Sequence, residues 1–143
     1  MNNISQYETV LLVDDDPVIS TLVSKLFRKT GYFHKLWRFT NGLEALYYMG
    51  HLMTLQKEYY HKKPILIILD LNMPDFNGYE FLEMFDELEQ SVKERFKIIV
   101  LSSSEDHEDV HRINVNQNVQ GYIIKPKNIE TIDSIDKFFV FAR

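Results

Sequence analysis

Short unbroken apolar runs alternate with longer amphipathic stretches along this chain. "TVLLV" (9–13) is apolar at nearly every position, the pattern of a strand covered on both faces. "DPVISTLVSKLFRKTG" follows, with Asp16 placed as an N-cap, Pro17 at the first helical position and Gly31 as terminator. Val18, Ile19, Leu22, Val23, Leu26 and Phe27 form one helical stripe there. "HKLWRFT" (34–40) predicts a second strand, and "NGLEALYYMGHLM" a helix opened by Asn41 and Glu44 at capping-box spacing. The polar and aromatic stretch 50–63 is the end of that helix and a loop.

"ILIILDL" (65–71) predicts a buried third strand. "GYEFLEMFDELEQ" (78–90) is helical, with Tyr79, Leu82, Phe85 and Leu88 inward. "KIIVLSS" (97–103) is a fourth strand, "EDHEDVHRI" (105–113) a short polar helix and "QGYIIK" (120–125) a fifth strand. "NIETIDSIDKFFVFA" closes the chain as an amphipathic helix. Five strand–helix units in series give an α/β fold: a parallel sheet with right-handed crossovers and helices on both faces. With no repeat, linker or low-complexity tract, residues 1–143 are expected to form one domain.

Composition narrows the chemistry. The net charge of −5 comes without any basic run, so a nucleic-acid surface is not expected. The absence of cysteine excludes disulfides, thiolate zinc sites and thiol nucleophiles. No segment has the length of a membrane span and the N-terminus lacks a signal-peptide pattern, so a cytoplasmic protein is expected. The "NIS" sequon at Asn3 then has no secretory context.

In a sheet of this kind ligands sit outside the carboxyl ends of the strands. The first strand ends in Asp14, Asp15 and Asp16, the third in Asp70, the fourth in Ser102, Ser103 and Ser104, and the fifth in Lys125. A single carboxylate at a strand end serves equally as a cap, a metal ligand or a nucleophile. Several together resist ionising unless a cation compensates them. Oxygen ligands without cysteine point to a hard ion, Mg²⁺ first. Beside such an ion and Lys125, Asp70 keeps an oxygen for attack on phosphorus.

"LLVDDDP", "LDLNMPDFNG", "IVLSSS" and "GYIIKP", in this order, resemble the receiver domains of bacterial two-component response regulators, over about residues 8–141. The resemblance implies a flavodoxin-like (βα)5 three-layer sandwich with strand order 2-1-3-4-5. It implies that Asp70 accepts a phosphoryl group from a sensor histidine kinase or a histidine phosphotransfer protein. Asp14, Asp15, Asp70 and the main-chain oxygen of Asn72 would hold Mg²⁺. Ser102 and Lys125 would bind the phosphoryl group, and Tyr122 would turn inward as Ser102 moves. Pro126 would follow a cis peptide, and Asn72 and Ser104 would border the hydrolytic water. Such a protein catalyses only its own phosphorylation and dephosphorylation, and so is not counted as an enzyme.

Two segments depart from the family pattern: 43–63 is long, and "INVNQNVQ" (113–120) is rich in asparagine where alanine and leucine are usual. "HEDVH" (107–111) matches the H-E-x-x-H zinc-protease pattern, but it begins a short acidic helix and no histidine follows it. An exposed, solvated helix face is the expectation there. Pro74 and Gly78 punctuate the loop after Asp70, with Gly78 expected in a conformation that other residues resist. The overall expectation is a stand-alone receiver without an output domain, monomeric or weakly dimeric, acting on an unidentified protein target or in a phosphorelay.

Overall fold

The chain alternates as its polarity pattern predicts, through β1 (Thr9–Val13), α1 (Pro17–Thr30), β2 (Lys35–Phe39), α2 (Gly42–Leu55) and β3 (Ile65–Asp70). It continues through α3 (Gly78–Asp86), a short α4 (Gln90–Lys93), β4 (Phe96–Ser102), α5 (His107–Asn114) and β5 (Val119–Ile124). This computed structural model describes residues 9–30, 35–55, 64–103 and 105–125. The expected closing helix (128–142), the terminator Gly31 and the loop 56–63 lie outside the described residues.

All five strands are parallel, in the order β2-β1-β3-β4-β5. Strand β3 is central, and burial of all six of its residues explains the unbroken apolar run that leads to Asp70. Side chains alternate between the two faces. Leu11, Val13, Ile67, Leu69, Ile98 and Val100 pack on the face covered by α2 and α3, with Phe81, Phe85 and Met49. Val10, Leu12, Leu66, Ile68, Ile99 and Leu101 pack on the opposite face with Ile19 and Val23 of α1.

Capping sets the helix starts. Asp16 accepts from the N–H groups of Val18 and Ile19, and Asn41 from that of Leu43. Asn77 and Glu80 form a reciprocal capping box on α3, and Asp106 caps α5 through the N–H of Glu108.

Two helical faces differ from expectation. On α1, Val18 is 65% exposed, whereas Ser20 and Ser24 are buried beside Ile19 and Val23. The small serines let the helix approach the sheet, and their hydroxyls are satisfied by the Asp14 and Ser20 carbonyls. The side chains of Leu26 and Phe27 lie outside the description. On α3 the fully buried face is Phe81, Leu82 and Phe85; Tyr79 and Leu88 pack only at its margin.

Candidate functional site

The carboxyl ends of β1, β3, β4 and β5 bring their polar residues to one place because the strands are parallel and in register. Val13 pairs with Leu69, Asp70 with Leu101, and Ser102 with Ile124. The residues just beyond these pairs share one edge of the sheet.

Carboxylate oxygens of Asp14, Asp15 and Asp70 lie within 4.8 Å of one another, and among the described residues no other group of three acid or histidine ligands is so placed. Asp14 and Asp70 are buried and Asp15 is half-buried. The Lys125 ammonium lies 3.0 Å from Asp14 Oδ2 and 3.2 Å from Asp70 Oδ2. Asp70 Oδ1 accepts from the N–H of Asn72 at 3.1 Å, and Asp14 Oδ1 from the N–H of Asp16 at 2.8 Å. Asp16 itself turns to cap α1.

Burial pushes the Asp70 carboxyl up to about 6 from its usual 3.8. The Asp14 charge adds to that rise, and Lys125 and the Asn72 N–H oppose it. Burial works against the charge on Lys125, yet Asp14 and Asp70 outweigh it and hold the ammonium above its ordinary range.

A cation fits this site on two grounds. Asp14 Oδ2 is buried without a well-formed hydrogen bond; its short contact to Lys125 is ionic and poorly directed. Fully ionised, three carboxylates facing one ammonium carry an excess of two negative charges. An all-oxygen set with that excess suits a hard divalent ion.

Among the remaining expected residues, Ser102, Tyr122 and Asn72 fall within the described chain. Ser102 is fully buried at the end of β4, and its carbonyl accepts the Lys125 N–H at 2.8 Å. Tyr122 is half-buried opposite Val100 and packs against the α3 side of the core. Asn72 is exposed apart from its N–H contact with Asp70. Ser104 and Pro126, with the expected cis peptide, lie outside the described residues.

Gly78 is needed for a different reason than expected. A Cβ there would lie 2.6 Å from both the Asp70 carbonyl oxygen and Leu71 Cα, so close approach, rather than an unusual backbone angle, demands glycine. Its N–H donates to the Leu71 carbonyl at 3.0 Å, closing the loop that follows Asp70. The positive φ of that loop belongs to Asp75, at 67°.

One link went unread in the sequence. Tyr79, directly after Gly78, donates its hydroxyl to Asp109 at 2.5 Å, and Arg112 lies 3.9 Å over its ring. Burial and the Asp109 carboxylate push the Tyr79 hydroxyl up to about 12. This joins α3 to α5 across 30 residues of sequence. By contrast His107, Glu108 and His111 are exposed on α5 and stand outside the acid cluster.

The profile of the response regulator receiver domain matches residues 10–135. Response regulator Rcp1 of Synechocystis is 30% identical over 127 residues, covering 87% of this chain and 81% of that protein. Among solved structures, a two-component response regulator from Cytophaga hutchinsonii superposes with a TM-score of 0.75 at 25% identity, covering 94% of this chain and 97% of its own. The Mn(2+)-bound form of Rcp1 superposes with a TM-score of 0.69 at 27% identity, covering 92% and 94%.

Proposed function

Because the chain belongs to the response regulator receiver family, we propose that Asp70 accepts a phosphoryl group from a phosphohistidine in a Mg²⁺-dependent reaction. Receiver domains are signalling modules that work with histidine kinases or phosphotransfer proteins, and either is the donor class here. The observation that carries this reading is the convergence of Asp14, Asp15, Asp70 and Lys125 on one strand edge, with Asp70 buried at the end of the central strand.

Asp14, Asp15, Asp70 and the Asn72 main-chain oxygen would hold the ion; the Rcp1 form solved with Mn(2+) supports a divalent metal. When bound, the ion offsets the negative charge of the carboxylates and of the incoming phosphoryl oxygens. Asp70 supplies the nucleophile: a carboxylate oxygen forms the new P–O bond as the P–N bond of the donor breaks. The electron pair of that bond leaves with the donor imidazole. Lys125 already neutralises Asp70 Oδ2 and stands within reach of the phosphoryl oxygens formed there. Ser102, at the end of the adjacent strand, supplies a hydroxyl for the same group.

The added charge biases the strand ends, with Ser102 and Tyr122 as the moving pair. Asn72 and Ser104 border the path of the water that later hydrolyses the acyl phosphate. The protein thus catalyses its own loading and unloading, and its output is contact with another protein or onward transfer to a second histidine.

Beryllofluoride, a phosphoryl mimic, tests this. Stable binding with Mg²⁺ that disappears in Asp70→Asn is the expected result. Binding that persists in Asp70→Asn, or needs no Mg²⁺, contradicts the assignment.

A further inference from the structure

The connection from the last residue of β2, Phe39, to the first of α2, Gly42, touches both acid-bearing loops, and we infer that Phe76 is a positioning residue that sets their separation by bearing on that turn. The inference rests on the acceptor reading above for what is being positioned.

On one side, the Asp14 N–H donates to the Phe39 carbonyl at 2.9 Å, tying the end of β1 to the last residue of β2. Asn41 then caps α2 through the Leu43 N–H at 2.7 Å, with Gly42 buried between them. On the other side, the loop after Asp70 turns sharply. The Phe76 N–H donates to the Pro74 carbonyl at 2.7 Å, with Asp75 at φ 67° between them. A three-residue turn with a positive central angle is the rarer, strained form of the γ-turn.

That turn delivers the Phe76 ring onto Gly42. A Cβ on Gly42 would lie 2.9 Å from Phe76 Cδ1 and 3.3 Å from Cε1, with Phe81 Cδ2 at 3.4 Å. The ring fills the space above Gly42, and a side chain there would displace it. Strain of this kind persists only where the surroundings over-determine it. Here Leu71 and Met73 are buried on one side of the turn, and Gly78 is locked to Leu71 on the other. Phe76 thus braces the Asp70 loop against the same turn that holds Asp14. The distance between these two anchors governs how the oxygens of Asp14, Asp15 and Asp70 converge. Groups that orient ligands without touching the ion change metal affinity by about 10–100-fold.

The test is calorimetric titration of the full chain with Mg²⁺, alongside phosphorylation by acetyl phosphate at varied Mg²⁺. Phe76→Ala and Gly42→Ala are expected to weaken Mg²⁺ binding by about tenfold, and saturating Mg²⁺ to restore the wild-type phosphorylation rate. Phe76→Leu, which keeps most of the bulk, recovers most of the affinity. Ile65→Val, a core change at the opposite end of β3, leaves the affinity unchanged. Wild-type affinity in Phe76→Ala, or an equal loss in Ile65→Val, overturns the inference. If Phe76→Ala does not fold, wild-type affinity in both Phe76→Leu and Gly42→Ala overturns it. A wild-type chain that binds no Mg²⁺ defeats the acceptor reading and this inference together. Wild-type binding that is indifferent to the variants defeats this inference alone.

Discussion

Two regions of this molecule carry side chains suited to metal binding, and they differ in burial. His107 and His111 sit one turn apart on α5 with Glu108 between them, matching a known zinc pattern, yet all three are exposed. Asp14 and Asp70 match no spacing rule, being on different strands, yet both are buried and face a shared ammonium. An exposed ionisable group is satisfied by water and makes no demand on its neighbours. A buried one costs several kcal/mol unless something compensates it, roughly in the range measured for buried ions. Convergence that is costly to maintain is therefore the stronger evidence for a site than a pattern that costs nothing.

Substitutions that remove this compensation give the largest effects. Lys125→Ala leaves two buried carboxylates facing each other, and urea unfolding should show a loss of about 3–5 kcal/mol at neutral pH without metal. Some phosphorylation should persist in that variant, but the Tyr122 response to it should vanish; an unchanged Tyr122 NMR shift in the activated wild type would also count against the switch.

The pH dependence of stability separates the regions next. Asp70 is pushed from 3.8 to about 6 in the folded chain, so its contribution is fully present below 3.8 and is lost as pH rises through about 6. Relative to wild type, Asp70→Asn should gain about 2 kcal/mol between pH 4 and pH 7 in the absence of metal. A constant difference across that range would show that Asp70 is not held in a desolvated, like-charged setting.

Gly78→Ala attacks the site without altering any charge. The added methyl meets backbone atoms of Asp70 and Leu71, so a loss of about 1–3 kcal/mol is expected, with weakened Mg²⁺ binding. His107→Ala and His111→Ala mark the opposite end of the scale. Each should change stability by less than about 0.5 kcal/mol and leave Mg²⁺ binding intact. A large effect from either would break the contrast between the two regions.

Much of this was readable in the residues because the signals are local. All five strands fall within about two residues of their expected bounds, since buried parallel strands are short, apolar and punctuated. The strand-end rule then placed Asp14, Asp70, Ser102 and Lys125 on one edge. What escaped the reading depends on packing distance. Ser20 and Ser24 stand outside the apolar stripe expected on α1, but their small size and satisfied hydroxyls put them inside. Phe81, in place of Tyr79, joins Phe85 as a buried ring of α3, while Tyr79 is held by Asp109 and Arg112, about 30 residues away. The need for Gly78 comes from neighbouring backbone rather than from its own angles. The Asn77–Glu80 capping box is legible in its spacing, which is that of Asn41 and Glu44.

The most direct test of the central claim is intact and peptide mass spectrometry of the chain incubated with acetyl phosphate, with and without Mg²⁺. One phosphoryl group on Asp70, present only with Mg²⁺ and absent from Asp70→Asn, is the predicted result. Phosphate on another residue, or on Asp70 in the presence of a metal chelator, would contradict it.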